Sequence, residues 1–407
     1  MNILLINHYA GSIYRGMEFR PYYMAKEWVK KGHDVTIIAA DYTHLRKENP
    51  VIKKDFTEES VDGIRYLFIK TNKYRGNNIG RAFNILAFKR KLMKNAKRLA
   101  LLYKPDAVIA SSTHPLDIYP ADKISKIAKA RLYFELHDLW PLSTMVIGGL
   151  SEKNPIIKYL QKAEDYIYAN VDKVISIIPN ADKHIAERGF NTPFVHIPNG
   201  VILQEGDIIE TDEKQIEFLR EKKKDGYFII IYAGNHSNAN DLEFFIEAST
   251  VFTPQEKTLF VLIGKGNVKP QLMETAKKLR AENVSFLDPV KKESVSTLLS
   301  VADVAFIGLK KDKLFDYGVS PNKLFDYMLA AKPIIYAVES SNDPVSDADC
   351  GITVPAGSSN AIAQAVRELK AMGNEKLNEM GENGKSFVIK NHKYETLAEK
   401  FLKEISE

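Results

Sequence analysis

Cysteine is almost absent from this 407-residue chain, which carries only Cys350. A single thiol excludes an internal disulfide and any zinc site built on several cysteines. It points to a reducing, cytoplasmic compartment. No window of about 18 uninterrupted apolar residues occurs, so no membrane-spanning helix is expected. The opening run MNILLINHYAG has no cationic stretch before its short apolar segment and no small-residue cleavage site. It reads as a first β-strand rather than a secretory signal. Also missing are a Walker loop, a G-x-S-x-G elbow and a complete G-x-G-x-x-G, of which Gly264-Lys265-Gly266 is only a fragment. Asp347-Ala348-Asp349 superficially matches a metal-binding acid pair, but no nucleotide-binding strand precedes it. It reads as a solvated turn, and neither a metal nor a cofactor is expected.

What is present is a globular composition, 45% apolar and 27% charged. The length exceeds one ordinary core and favours two domains. Net charge is +5, unevenly spread. Between Lys70 and Arg98 lie ten basic residues and no acidic one, interleaved with Phe83, Ile85, Leu86, Phe88, Leu92 and Met93. Such a segment can lie on an anionic membrane surface, or it can be a solvated helix packing its apolar side on its own sheet.

Strand and helix patterns alternate along the chain. Residues 2–7 read as a strand, 8–16 as a loop with two glycines, 17–31 as a helix ended by Gly32, and 35–40 as a second strand. Further strands are expected at 107–110, 131–136, 173–178 and 194–197, the last leading into Pro198-Asn199-Gly200. A polar stretch to Gly226 separates this from a second series. That series has strands at 227–233, 258–263, 284–287, 304–307 and 333–338, with helices between them. The order implies parallel pairing, hence two Rossmann-like doubly wound domains. They are expected at residues 1–200 and 201–385, facing across a cleft, with a helix at 386–407 packing back on the first domain. KLFDY occurs at 313–317 and 323–327; two copies do not make a solenoid.

The most informative string is GVSPNKLFDYMLAAKP at residues 318–333. Ser320 reads as an N-cap and Pro321 as the first helical position. The helix start would then offer backbone N–H groups to a diphosphate. Asp326 follows about one and a half turns on, where a carboxylate could accept hydrogen bonds from a ribose diol.

This string resembles the donor-site motif of retaining glycosyltransferases of family four, which have the GT-B fold. The likeness extends to INHYAG, RGMEFRPYYMAKEWVKKGHDVTIIAAD, FELHDLWP, IPNGV, YAGNHSNANDL, FVLIGKG and NVSFLDPV, in the expected order. It is nearest to bacterial O-antigen and capsule enzymes, including an L-fucosamine transferase-like group. The resemblance implies that Gly11 and Gly16 let the first loop approach donor phosphates, and that Gly264 and Gly266 do so in the second domain. Gly234, Asn235, Lys265, Ser320, Pro321, Asn322 and Lys323 would surround the diphosphate. Leu287, Asp288, Pro289 and Val290 would form the base pocket, and Asp326 would hold the ribose. The candidate catalytic residues are His137 and His114, each at a strand end. In the family a histidine at such a loop contacts the transferred sugar. His8, Glu18 and Arg20 are candidates for the acceptor side, although a first-turn Glu can also simply complement the helix dipole.

The chain also departs from the family. Gly318 stands where many members carry an acid that touches the donor sugar; Asp316 is a candidate substitute. Gly234-Asn235-His236 replaces a usual Arg and Lys pair, and Ile202 replaces the Asp after the linker Asn-Gly.

The resemblance implies a metal-independent, retaining transfer from a UDP-sugar, such as an N-acetylated amino sugar. The acceptor would be a saccharide, polyprenyl-diphosphate-linked, in surface polysaccharide assembly at the inner membrane face. Nucleic acid is not an expected partner. Two rival readings stand beside this one: a UDP-sugar 2-epimerase on the same fold, and a non-catalytic, degenerate transferase.

Overall fold

The structure is a computed structural model and describes residues 1–76, 78–203, 213–291 and 294–406. The chain divides into two compact units, the first built on Met1–Gly200 and the second beginning at Val201.

The first unit runs β1 (Asn2–Ile6), α1 (Arg20–Lys30), β2 (Asp34–Ala40), β3 (Thr57–Val61), β4 (Ile64–Ile69), α2 (Ile79–Tyr103), β5 (Ala107–Ala110), α3 (Ile118–Ala128), β6 (Arg131–Leu136), α4 (Leu142–Val146), α5 (Pro155–Asn170), β7 (Lys173–Ser176), α6 (Ala181–Glu187) and β8 (Phe194–His196). Its eight-stranded sheet has the order β3-β4-β2-β1-β5-β6-β7-β8. Only the β3–β4 pair is antiparallel. Ile3, Leu4, Leu5 and Ile6 are all buried, as expected of a central parallel strand covered on both faces. Order reverses between β1 and β5, which makes that edge the switch point where doubly wound sheets take ligands.

The second unit runs α7 (Lys214–Lys224), β9 (Phe228–Ala233), α8 (Leu242–Ser249), β10 (Thr258–Ile263), α9 (Lys269–Lys278), β11 (Val284–Leu287), α10 (Val295–Val301), β12 (Val304–Gly308), α11 (Asn322–Leu329), β13 (Ile334–Ala337), α12 (Pro344–Asp347), β14 (Gly351–Val354) and α13 (Ser359–Asn391), the last interrupted at Gly373. All six strands are parallel in the order β11-β10-β9-β12-β13-β14. This is a Rossmann arrangement with its switch point between β9 and β12.

The final helix α14 (Tyr394–Ser406) belongs to the first unit. Its Leu397, Ala398, Phe401, Leu402 and Ile405 recur at helical spacing and join the core with Trp28 of α1. The Trp28 indole N–H donates to the Ala398 carbonyl at 3.1 Å. The unit boundary thus falls at Lys393–Tyr394 rather than 385–386, and residues 317–320 group with the first unit.

Two helix starts differ from expectation. Helix α1 begins at Arg20, not Met17, because the preceding chain is used in a loop ladder. The Glu18 N–H donates to the Tyr9 carbonyl and the Glu18 carbonyl accepts from Gly11. Helix α11 begins at Asn322 with Pro321, not Ser320, as its N-cap. The Ser320 hydroxyl instead accepts the Asn199 N–H at 3.2 Å, and Asn199 Nδ2 donates to the Ser320 carbonyl at 3.1 Å. Proline can occupy the cap because it has no N–H to lose.

Candidate functional site

The first unit gathers its candidates at the ends of β1, β5 and β6. Ser111 directly follows β5, and Ala110 of that strand pairs with Phe134 of β6, so Ser111 lies beside Glu135. Glu135 and His137 are two residues apart and emerge on one face. Glu135 is fully buried and meets Arg20 through Nε at 2.8 Å. Its other oxygen accepts from Ser111 Oγ at 2.5 Å and lies 3.1 Å from His137 Nε2. Burial alone would raise the Glu135 carboxyl. Arg20, His137 and Ser111 outweigh it and hold the group well below the usual carboxylate range.

Arg20, placed by sequence on the acceptor side, is 4% exposed. Beyond Glu135 its guanidinium donates to the Pro198 and Ile197 carbonyls at 2.5 and 2.9 Å. Three of its five N–H donors are thus used within the first unit. Glu18 lies ahead of α1, which removes its reading as a first-turn dipole partner. Burial raises its carboxyl, with His137 opposing.

His8 and His114 are both fully buried, with ring centroids 5.3 Å apart. His8 Nε2 sits 2.5 Å from Asn84 Oδ1, and burial lowers its pKa to about 3. Burial likewise holds His114 well below its ordinary value. Tyr9 packs edge-on against both rings and Phe88 against His8, so neither imidazole is exposed. Beneath them Asp117 accepts from Ser112 Oγ, and burial pushes its carboxyl up to about 7. Gly16 stands apart from this group. It bridges Ser12 and Arg46, and a Cβ there would lie 2.8 Å from the Lys47 nitrogen.

The second unit brings most of its candidates together at the C-terminal ends of β9 and β10. A Cβ on Gly264 would lie 1.9 Å from the Gly234 oxygen, and one on Gly266 would lie 1.9 Å from the His236 oxygen. The two loops are thus in backbone contact. Lys323, on the first turn of α11, reaches over Gly234 to the Tyr232 hydroxyl at 2.9 Å. Burial lowers its pKa to about 8. The Tyr327 hydroxyl accepts the Ala233 N–H at 2.8 Å, fixing α11 against β9.

Helix α11 buries Leu324, Phe325, Tyr327 and Met328, while Asn322 and Asp326, one turn apart, share its exposed side. Asn235 and Lys265 are exposed on the two loops. Pro289 and Val290 follow β11, with Pro289 exposed and Val290 half-buried. Lys269, which sequence reading missed, donates from Nζ to the Gly264 and Leu287 carbonyls, both at 3.0 Å. It joins the β10 loop to the strand before the expected base pocket. Asp316 is exposed in a 3-10 turn, and Gly318 is buried at φ 96°. Asp347 closes the one-turn helix α12 and Asp349 takes φ 50°.

A family model described as Glycosyltransferase Family 4 matches residues 14–205, and one described as Glycosyl transferases group 1 matches residues 227–372. No curated protein sequence matches significantly. Among solved structures, sucrose-phosphate synthase from Thermosynechococcus elongatus superposes with a TM-score of 0.72 at 16% identity, covering 98% of this chain and 97% of that one. Anabaena HepE, in complex with UDP and glucose, gives 0.67 at 15% identity with 100% of both chains covered. WaaG, a glycosyltransferase involved in lipopolysaccharide biosynthesis, gives 0.65 at 15% identity with 99% of both covered. With two doubly wound units of this topology and both family models matched in order, the chain is a glycosyltransferase of the GT-B fold, of a family-four-like kind.

Proposed function

We propose that the chain transfers a sugar, with retention of anomeric configuration, from a UDP-sugar to a polyprenyl-diphosphate-linked saccharide in surface polysaccharide assembly. An N-acetylated amino sugar is the donor group in this reading. The observation that carries it lies in the second unit, where two glycine loops meet beside α11 and Asn322 and Asp326 share one exposed helical side. Backbone N–H groups at a helix start favour a diphosphate, and the carboxylate one turn on suits a ribose diol.

Negative charge grows on the diphosphate as the glycosidic bond breaks. The α11 amides, Lys323 and Lys265 would stabilise it, and preorganised donors of this kind are worth about 10²-fold or more in rate. The departing diphosphate would take the proton of the incoming hydroxyl on the same face of the sugar. On the acceptor side, His137 and Glu18 supply polar groups in the first unit. Helix α2 supports a lipid-linked acceptor: Ile79, Phe83 and Leu86 are exposed, and so are Arg90, Lys94, Lys97 and Arg98. Apolar residues interleaved with cations suit an anionic bilayer surface. The UDP complex of HepE and the lipopolysaccharide role of WaaG run in the same direction.

Calorimetric titration with UDP, UDP-N-acetylhexosamines and GDP, with Asp326→Ala beside the wild type, tests the donor side. UDP binding that weakens at least tenfold in the variant supports the reading. No nucleotide binding by the wild type would sink it in favour of a degenerate transferase. Donor conversion without acceptor would instead identify an epimerase.

A further inference from the structure

We infer that Glu135 and Ser111 hold His137 as its Nε2–H tautomer, reserving Nδ1 as a lone-pair acceptor for a hydroxyl group of a bound sugar. The ligand rests on the transferase reading above. The position of the proton stands on the geometry alone.

Glu135 is anionic, because Arg20 Nε meets one oxygen at 2.8 Å and both side chains are buried. A carboxylate can only accept. Ser111 Oγ has one hydrogen, and its 2.5 Å contact with Glu135 Oε2 uses it. His137 Nε2 lies 3.1 Å from that same oxygen and 3.2 Å from Ser111 Oγ. Both neighbours are therefore acceptors towards the ring, and only an N–H on Nε2 satisfies them. The opposite tautomer would set a nitrogen lone pair against a carboxylate oxygen in a nearly water-free site, which is strongly unfavourable.

Two further contacts fix the frame. Asn7 Nδ2 donates to the Ser111 carbonyl at 2.7 Å and approaches its Oγ at 3.2 Å. Arg20 ties Glu135 to the carbonyls of residues 197 and 198. The imidazole is thus hydrogen-bonded at Nε2 only: Nδ1 makes no hydrogen bond among the described residues, and the buried Glu18 carboxyl acts on the ring only through space. A neutral ring in this state accepts from an O–H and offers nothing to an anionic oxygen. It recognises a sugar hydroxyl rather than the diphosphate. Glu135, Ser111 and Arg20 are positioning residues in this scheme.

Long-range ¹H–¹⁵N correlation spectra of the full-length protein labelled at histidine nitrogen would read the tautomer directly. The His137 signals are assigned by their loss in His137→Gln. Nε2–H with a bare Nδ1 near pH 7.5 is expected. An Nδ1–H tautomer, or a doubly protonated ring, overturns the inference. Glu135→Gln supplies the activity test, since Arg20 pins the amide oxygen and turns its NH₂ towards Nε2. The ring should then switch to Nδ1–H, with kcat falling at least 10²-fold while UDP affinity stays within about twofold. An amide in place of the carboxylate that orients a histidine acts in this way in serine proteases. If Glu135→Gln does not fold, Ser111→Ala should keep the Nε2–H signal, and Ser111→Thr should restore any lost rate. A wild type with the expected tautomer but no transfer from any donor would overturn the proposed function and leave the tautomer assignment standing.

Discussion

Arg20 Nε and Glu135 Oε1 meet at 2.8 Å, with side chains only 3% and 2% exposed, although 115 residues separate them in sequence. A pair this deeply buried is a poor source of net stability, but removing one partner strands the other charge. Arg20→Ala should therefore cost about 3–5 kcal/mol by urea denaturation. The pair also sets an acid limit. Glu135 is held below its ordinary 4.5, so its contribution is complete above that value and is lost as pH falls towards the lower folded value. Unfolding followed from pH 6 to pH 3 should show stability declining in the wild type and a shallower decline in Arg20→Ala. Equal slopes would refute this assignment.

Gly264 offers a sharper contrast. Its missing Cβ leaves room for the Gly234 carbonyl, which would otherwise lie 1.9 Å away, and its φ of 144° is unfavourable for other residues. Gly264→Ala should either prevent the second unit from folding or push the two loops apart with loss of nucleotide binding. Gly32 also has positive φ, but nothing lies within 4 Å of its Cβ position. Gly32→Ala should cost only about 1–2 kcal/mol and leave nucleotide affinity unchanged. Similar losses in both variants would show that backbone conformation, not loop contact, explains Gly264.

Which parts of this molecule can be read from sequence follows from where the information sits. The run FIIIYA at 228–233 announces a strand because a parallel strand covered on both faces is continuously apolar. Thr57–Val61 does not, since its TEESV is polar and sits at the sheet edge. The donor string is legible because Asn322, Lys323 and Asp326 are close in sequence. Ser320 is misread as a cap because Asn199, 121 residues earlier, takes its hydroxyl. His8 and His114 look available at strand ends, but both are fully buried, with Tyr9 packed against both rings and Phe88 against His8. Glu135 was visible beside His137, but its partnership with Ser111 depends on the β5–β6 register.

Helix α2 has two sides with different consequences. Ile85, Phe88 and Leu92 are buried within the first unit, whereas Ile79, Phe83 and Leu86 are exposed. Phe83→Glu with Leu86→Glu should therefore change stability by less than about 0.5 kcal/mol each, as surface substitutions usually do. Vesicles containing phosphatidylglycerol should sediment the wild type at low salt and release most of the double variant. Equal sedimentation of both proteins, or none of either, would remove this face from the membrane proposal.

Lys323 connects burial to donor binding. Its ammonium lies 2.9 Å from the Tyr232 hydroxyl and 4.9 Å from the centre of that ring, and burial lowers its pKa from 10.5 to about 8. A lysine lowered on folding destabilises the fold while charged, so stability should rise as pH climbs from 8 towards 10.5. Donor binding should run the other way. A diphosphate beside Nζ favours the ammonium, so binding near pH 8–9 should draw a proton from solvent. Titrations in two buffers of different ionisation enthalpy should then show uptake of a fraction of a proton, fading towards pH 7. Lys323→Met should abolish the uptake, stabilise the free protein below pH 8 and weaken UDP binding about tenfold or more, the range of a lost charged hydrogen bond. Binding without proton uptake, and unaffected in Lys323→Met, would place the diphosphate away from this lysine.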